Sequence, residues 1–130
     1  MQVIRAAERP FVPAGHENPD DPGVWKRVLV TKPDLQPGQV QMVNWARMPG
    51  RRAFDAHYHE DMQELFVIIT GRAELRVGEE HVTLQAGDAV LIDAGEVHRM
   101  WNPGTSDVDY LALGISGGEH GRTVVVDEAP

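Results

Sequence analysis

Gly50-Arg-Arg-Ala-Phe-Asp-Ala-His57-Tyr58-His59-Glu-Asp-Met-Gln-Glu64-Leu-Phe-Val-Ile-Ile-Thr-Gly71 is the stretch on which the fold turns. Its two histidines stand two residues apart. On an extended strand such residues point to one face, so both imidazoles can converge while Tyr58 turns away. Glu64 follows a charged turn and heads the apolar run 65–70. An unpaired carboxylate there costs several kcal/mol, and a cation beside it removes that cost.

A third histidine comes from Gly87-Asp88-Ala-Val-Leu-Ile-Asp93-Ala-Gly95-Glu-Val-His98-Arg-Met-Trp-Asn102, where His98 opens another strand. Three neutral imidazoles and one carboxylate form a borderline ligand set. It suits one divalent transition metal: Fe(II), Mn(II), Ni(II), Cu(II) or Zn(II). Four protein ligands on an octahedral metal leave two positions for water, oxygen or a bidentate substrate, whereas zinc can close the site with four. The expected metal ligands are therefore His57, His59, Glu64 and His98. His16 and His120 fall in loops and His81 in a hairpin, and all three are expected to be exposed and non-ligating.

Outward from these stretches, 9 Pro and 13 Gly divide the chain into short runs rich in Val, Ile, Leu and Thr. Strands are expected at 24–30, 40–48, 54–59, 64–70, 73–77, 80–84, 88–92, 97–101, 108–115 and 122–126. Regular short spacing of this kind marks an antiparallel sandwich or barrel. The Gly78 region reads as a tight hairpin. No amphipathic helix is evident, and 59–65 reads as a turn, with a single helical turn as the variant. Residues 1–23, rich in Pro, Asp and Gly, read as an extended arm with one short strand near 2–5. Residues 117–130 read as a glycine-rich loop, a brief strand at 124–126 and a tail.

The two stretches resemble the paired motifs of the cupin superfamily, in particular its small single-domain cupin-2 barrels. The first motif has the form G-x5-H-x-H-x(3,4)-E-x6-G. It is matched from Gly50 to Gly71, with six residues rather than five before His57. The second has the form G-x5-P-x-G-x2-H-x3-N and is matched from Gly87 to Asn102, with Asp93 in place of the proline. The resemblance covers about 40–115 and implies an all-β double-stranded β-helix, or jelly roll, of six plus six strands. It makes 1–130 a single domain with a metal near one open end of the barrel. It also implies a homodimer, with residues 1–30 available to cross to the partner. The extra residue before His57 is expected to lengthen a loop, and Asp93 to alter a turn without touching the ligands.

If His98 points inward, the two-residue period carries Met100 and Asn102 with it, and Glu64 carries Phe66 and Ile68. On 40–48, either Met42, Asn44, Ala46 and Met48 or Val43, Trp45 and Arg47 face the barrel. Met42, Met48, Met100 and Phe66 read first as core, and second as the lining of a site for a small, partly apolar, aromatic or anionic ligand. Asp61 and Gln63 flank Glu64 as solvated turn residues, with a supporting or general-base role as the other reading. No catalytic base is assigned.

Composition narrows the functions. The 130 residues fit one domain and carry 20 acidic against 12 basic side chains, a formal charge of -8. Such a chain repels phosphate backbones and anionic lipid heads, so neither nucleic acid nor membrane is an expected partner. Arg51-Arg52 reads as a solvated loop, or as a clamp for a substrate carboxylate. The absence of cysteine excludes disulfides, thiolate ligands and a cysteine nucleophile. No stretch has the apolar core of a signal peptide or the roughly 18 apolar residues of a membrane span, which leads to the expectation of a cytoplasmic protein. No Ser-His-Asp set, phosphate loop or dinucleotide fingerprint is evident. Among cupin activities, the expectation is a metal-dependent small-molecule enzyme such as a dioxygenase. A non-catalytic binding or sensor module is the alternative. A sugar isomerase or epimerase is a third, disfavoured by the sparse Lys, Arg and Gln.

Overall fold

A computed structural model describes all residues except 1, 3, 119–121 and 128–130. Among the described residues the chain forms eleven strands and two 3₁₀ turns, at Ala6–Glu8 and Lys32–Asp34, with no α-helix. The strands are β1 (Val12–Pro13), β2 (Trp25–Thr31), β3 (Val40–Met48), β4 (His57–His59), β5 (Gln63–Thr70), β6 (Arg72–Val77), β7 (Glu80–Gln85), β8 (Ala89–Ile92), β9 (His98–Trp101), β10 (Val108–Ile115) and β11 (Thr123–Val125). They make two antiparallel sheets, ordered β1-β2-β3-β10-β5-β8 and β11-β4-β9-β6-β7. This is the expected jelly roll, with five strands rather than six in the second sheet. No helix among the described residues is long and apolar enough to cross a membrane.

The expected strands all appear, with ends moved by a few residues. The largest change is at 54–59. Only His57–His59 is strand, and Ala53 makes a single bridge to Trp101. In the arm, the short strand lies at Val12–Pro13, paired with Lys26 and Trp25, and not near 2–5. Val3 falls outside the described residues, and Gln2, Ile4 and Arg5 are not in a strand. The 59–65 segment is a bend and then strand, without a helical turn.

Burial alternates along β5, where Glu64, Phe66 and Ile68 are buried and their neighbours half-buried. The same period settles β3: Ala46 and Met48 are buried at 4% and 0% exposure. The face carrying Met42, Asn44, Ala46 and Met48 is therefore the inner one. Met48, Ile68, Leu75, Met100 and Val108 close one half of the barrel, all at most 1% exposed. At Gly71, φ is +89°, and a Cβ would lie 2.9 Å from the Asp107 carbonyl oxygen. Glycine is required there on both counts.

On the outer face, Asp109 accepts two hydrogen bonds from Arg47, at 2.8 and 2.9 Å, and one from Trp45 Nε1 at 2.9 Å. These tie β3 to β10. The arm is fastened to the same face. Arg27 Nε donates to the Arg9 carbonyl at 2.8 Å, and the Phe11 ring lies 4.4 Å from the Arg27 guanidinium and 4.5 Å from that of Arg47. From there β1 pairs with β2 as the edge of its sheet, and Ala14–His16 turns inward. Ala14 N–H donates to the Val24 carbonyl at 3.0 Å.

Candidate metal centre

β4 and β9 run antiparallel with His57 directly opposite His98. Directly opposed residues share a face, so the two rings meet with centroids 4.4 Å apart. His59 follows on the same face by the period of two. Glu64 arrives from the other sheet through β5. One ligand atom from each of His57, His59, Glu64 and His98 lies within 4.8 Å of every other, and all four residues are buried. His59 Nε2 sits 3.2 Å and His98 Nε2 3.3 Å from Glu64 Oε1. Gly95, at φ +83°, turns the chain before β9, and its N–H donates to the His59 carbonyl at 2.8 Å.

Each imidazole is held from behind through Nδ1. His57 Nδ1 is 2.7 Å from the Asp55 carbonyl oxygen and His98 Nδ1 2.9 Å from that of Glu96. A carbonyl only accepts, so Nδ1 of His57 and of His98 carries a proton, and Nε2 is the ring nitrogen that faces the cluster. His59 Nδ1 pairs with Thr123 Oγ1 at 3.0 Å, from β11. His98 Nε2 is buried and has no hydrogen-bond partner. Burial, the largest influence on His57, pushes its imidazole down to about 4, so it is neutral near pH 7. Burial alone would raise Glu64, but the adjoining His59 and His98 outweigh it and hold the carboxyl at about 2. Neutral imidazole beside ionised carboxylate is the donor state that a divalent cation requires.

The cluster opens into a cavity of about 480 Å³. Phe54, Phe66, Met62 and Met42 form its apolar wall, with Tyr110 and Ala112 from β10. Of the expected lining, Met42 and Phe66 do face the cavity, whereas Met48 and Met100 belong to the closed core. Asn102 is buried but structural: its amide donates to the carbonyls of Met48 at 3.1 Å and Ser106 at 2.7 Å. Asp93 is exposed and accepts from Gln63 Nε2 at 2.8 Å, so both lie away from the cluster. Arg52 donates to Asp21 Oδ1 at 2.8 Å on the surface.

One expectation is corrected. His16 is not an exposed loop residue. Its side chain is 28% exposed, its ring centroid lies 4.6 Å from that of His57, and it lines the cavity. The arm strand β1 swings it there. Burial lowers the His16 pKa and raises that of its neighbour Glu17. His81 is exposed as expected, pairing with Glu74 at 2.9 Å and stacking on Trp101. His120 lies outside the described residues.

Asn44, on one of the two faces weighed for 40–48, lines the cavity, as do Lys26, Tyr110 and Thr123, which had no role in the sequence reading. A signal existed for Lys26, which shares the period of two with Val24 and Val28 in the strand expected at 24–30. None existed for Thr123, which acts through a register that only folding sets.

The family profile described as "Cupin domain" matches residues 44–114. An oxalate-binding protein of Thermotoga maritima is 30% identical over 67 residues, which are 52% of this chain and 55% of that one. The match thus spans little more than half of that relative's length. A Thermotoga maritima crystal structure described as a predicted oxalate decarboxylase superposes with a TM-score of 0.77 at 24% identity, covering 88% of this chain and 99% of that one. The polyketide cyclase RemF of Streptomyces resistomycificus also gives 0.77, at 17% identity, covering 99% and 87%. At such identities the two structures speak for the fold alone.

Proposed function

This chain belongs to the cupin domain family, and on that premise we propose that it holds one divalent transition metal on His57, His59, Glu64 and His98 and uses it on a small organic molecule in the cavity. The observation that carries the reading is the buried donor set, within 4.8 Å and with each histidine anchored through Nδ1. His98 Nε2, buried and without a hydrogen bond, fits a ligand position better than a structural one.

When bound, the metal would supply Lewis-acid or oxygen-activating chemistry through the positions that the four residues leave free. The protein's own part is to hold the donors and exclude water. Phe54, Phe66 and Met62 present apolar surface beside the donors, and Asn44 offers the substrate an amide. Dioxygenase-type chemistry is the leading assignment, supported by this apolar wall and by a four-residue donor set that would leave a six-coordinate metal two positions for substrate and oxygen. The alternative, a non-catalytic binding module, draws support from the oxalate-binding relative. Sugar isomerisation is the weakest, because Lys26 is the one Lys or Arg side chain among the described cavity residues. Homodimer formation in the cytoplasm completes the reading. Leu91 on β8 and Val82 on β7, 54% and 44% exposed, offer apolar surface for the second copy.

Purification without chelator followed by metal analysis tests the reading. One transition metal per chain is expected. Iron together with substrate-dependent oxygen uptake would establish the oxygenase assignment. A folded protein that takes up none of iron, manganese, nickel, copper or zinc would end the metal reading.

A further inference from the structure

We infer that the cavity selects an organic dianion, one oxyanion directed to the metal-ligand cluster and the other to Lys26. This rests on the metal reading above and adds the class of ligand.

Lys26 lies directly opposite Ala46 in the β2–β3 register, and Ala46 faces the interior. Opposed residues share a face, so the Lys26 side chain is carried to the cavity, which it lines. It forms no ion pair or side-chain hydrogen bond with any described residue. Its Nζ stands where a Cβ on Gly15 would lie 3.8 Å away, so the arm crosses beside it. The small side chains of Ala46 and Ala112 leave the space in front of it open.

A second polar group supports the same end. Asn44 is on the inner face of β3, and its Oδ1 is buried with no hydrogen-bond partner. Its Nδ2 makes only a weak contact, 3.5 Å to Met42 Sδ. A buried amide left in this way matches a ligand that exchanges hydrogen bonds with it.

Charge and distance set the ligand class. A divalent cation beside the Glu64 carboxylate leaves one net positive charge, and Lys26 adds a second, so a dianion neutralises the cavity. β2 is three strands from β5, which bears Glu64. At the usual inter-strand spacing that is roughly 14 Å across the sheet, shortened by its curvature and by the reach of the lysine. The same cavity is lined by the apolar side chains of Val24, Met42, Phe54 and Phe66. The ligand is therefore an acid with two oxyanions on a short apolar body.

The test is calorimetric titration of metal-loaded protein with the α,ω-dicarboxylates from oxalate to adipate, each against the monocarboxylate of equal chain length. At least one dicarboxylate should bind about tenfold or more tightly than its monocarboxylate. Lys26→Gln should erase that preference, Lys26→Arg should keep most of it, and metal content and melting temperature should stay at wild-type values in both. A preference that survives in Lys26→Gln, or no binding across the whole series, overturns the Lys26 assignment while leaving the metal reading standing. Protein that loads no metal overturns the metal reading, and this inference with it.

Discussion

On the wall built by β4, β5 and β9, His57, His59 and His98 each have the far nitrogen tied by a carbonyl or hydroxyl 2.7–3.0 Å away. On the adjoining wall, built by the arm, β2 and β3, His16 Nε2 and Asn44 Oδ1 are buried without hydrogen bonds, and Lys26 has no ion pair among the described residues. On the proposed reading, the first wall would hold the cation and the second would meet the organic ligand, so that a metal retained on one wall could serve ligands exchanged at the other.

The sharpest way to break this contrast is to remove one ring from each wall. His59→Ala or His98→Ala should take metal content from one per chain to near zero. His16→Ala should leave it near one, because His16 lies outside the donor cluster. Elemental analysis of the three proteins decides the matter. Equal loss in all three would mean that the arm wall ligates as well.

The closed and open halves of the barrel should differ in stability. Met48 is 0% exposed in the closed half, so Met48→Ala should cost about 2–5 kcal/mol. Met42 borders the cavity and already lacks neighbours on one side, so Met42→Ala should cost less than half as much. Urea denaturation of the metal-free proteins measures both. Similar losses would show that the cavity is collapsed in solution.

Acid should act first on the metal wall. The folded-state pKa of His57 lies at about 4, below its ordinary 6.5, so folding disfavours the protonated ring. Its contribution is complete above pH 6.5 and is lost as pH falls from 6.5 through about 4. The gap is worth about 3 kcal/mol. Metal-free protein should lose that stability in this window, and His57→Gln should flatten the profile. The smallest effect belongs to the arm's anchor. Phe11→Ala removes the ring between Arg27 and Arg47 and should cost about 1 kcal/mol. Proteolysis between residues 9 and 16 should then speed up with metal content unchanged.

Much of the metal wall was legible in the chain because its geometry is local. The period of two puts His57 and His59 on one face, and a carboxylate at the head of an apolar strand demands a partner wherever the strand lies. The strand rhythm and the cupin motifs placed His98 in the same barrel. The arm wall was not legible, because His16 is 41 positions from His57 and reaches it only through the β1–β2 pairing and the turn at 14–16. Which face of β3 points inward was equally undecided, since Met42, Asn44 and Met48 compete with Val43 and Trp45 on nearly equal terms. The burial of Ala46 and Met48 in the folded barrel resolved it.

By itself, then, the sequence determined an antiparallel β fold and its approximate strands through short-range periodicity, and its resemblance to the cupin motifs added the barrel and joined His98 to His57, His59 and Glu64 as candidate donors. Only the tertiary structure decided what faces those donors. Lys26, Asn44 and His16 come together through pairings between distant segments, and no spacing along the chain encodes how an arm folds back across a barrel's open end.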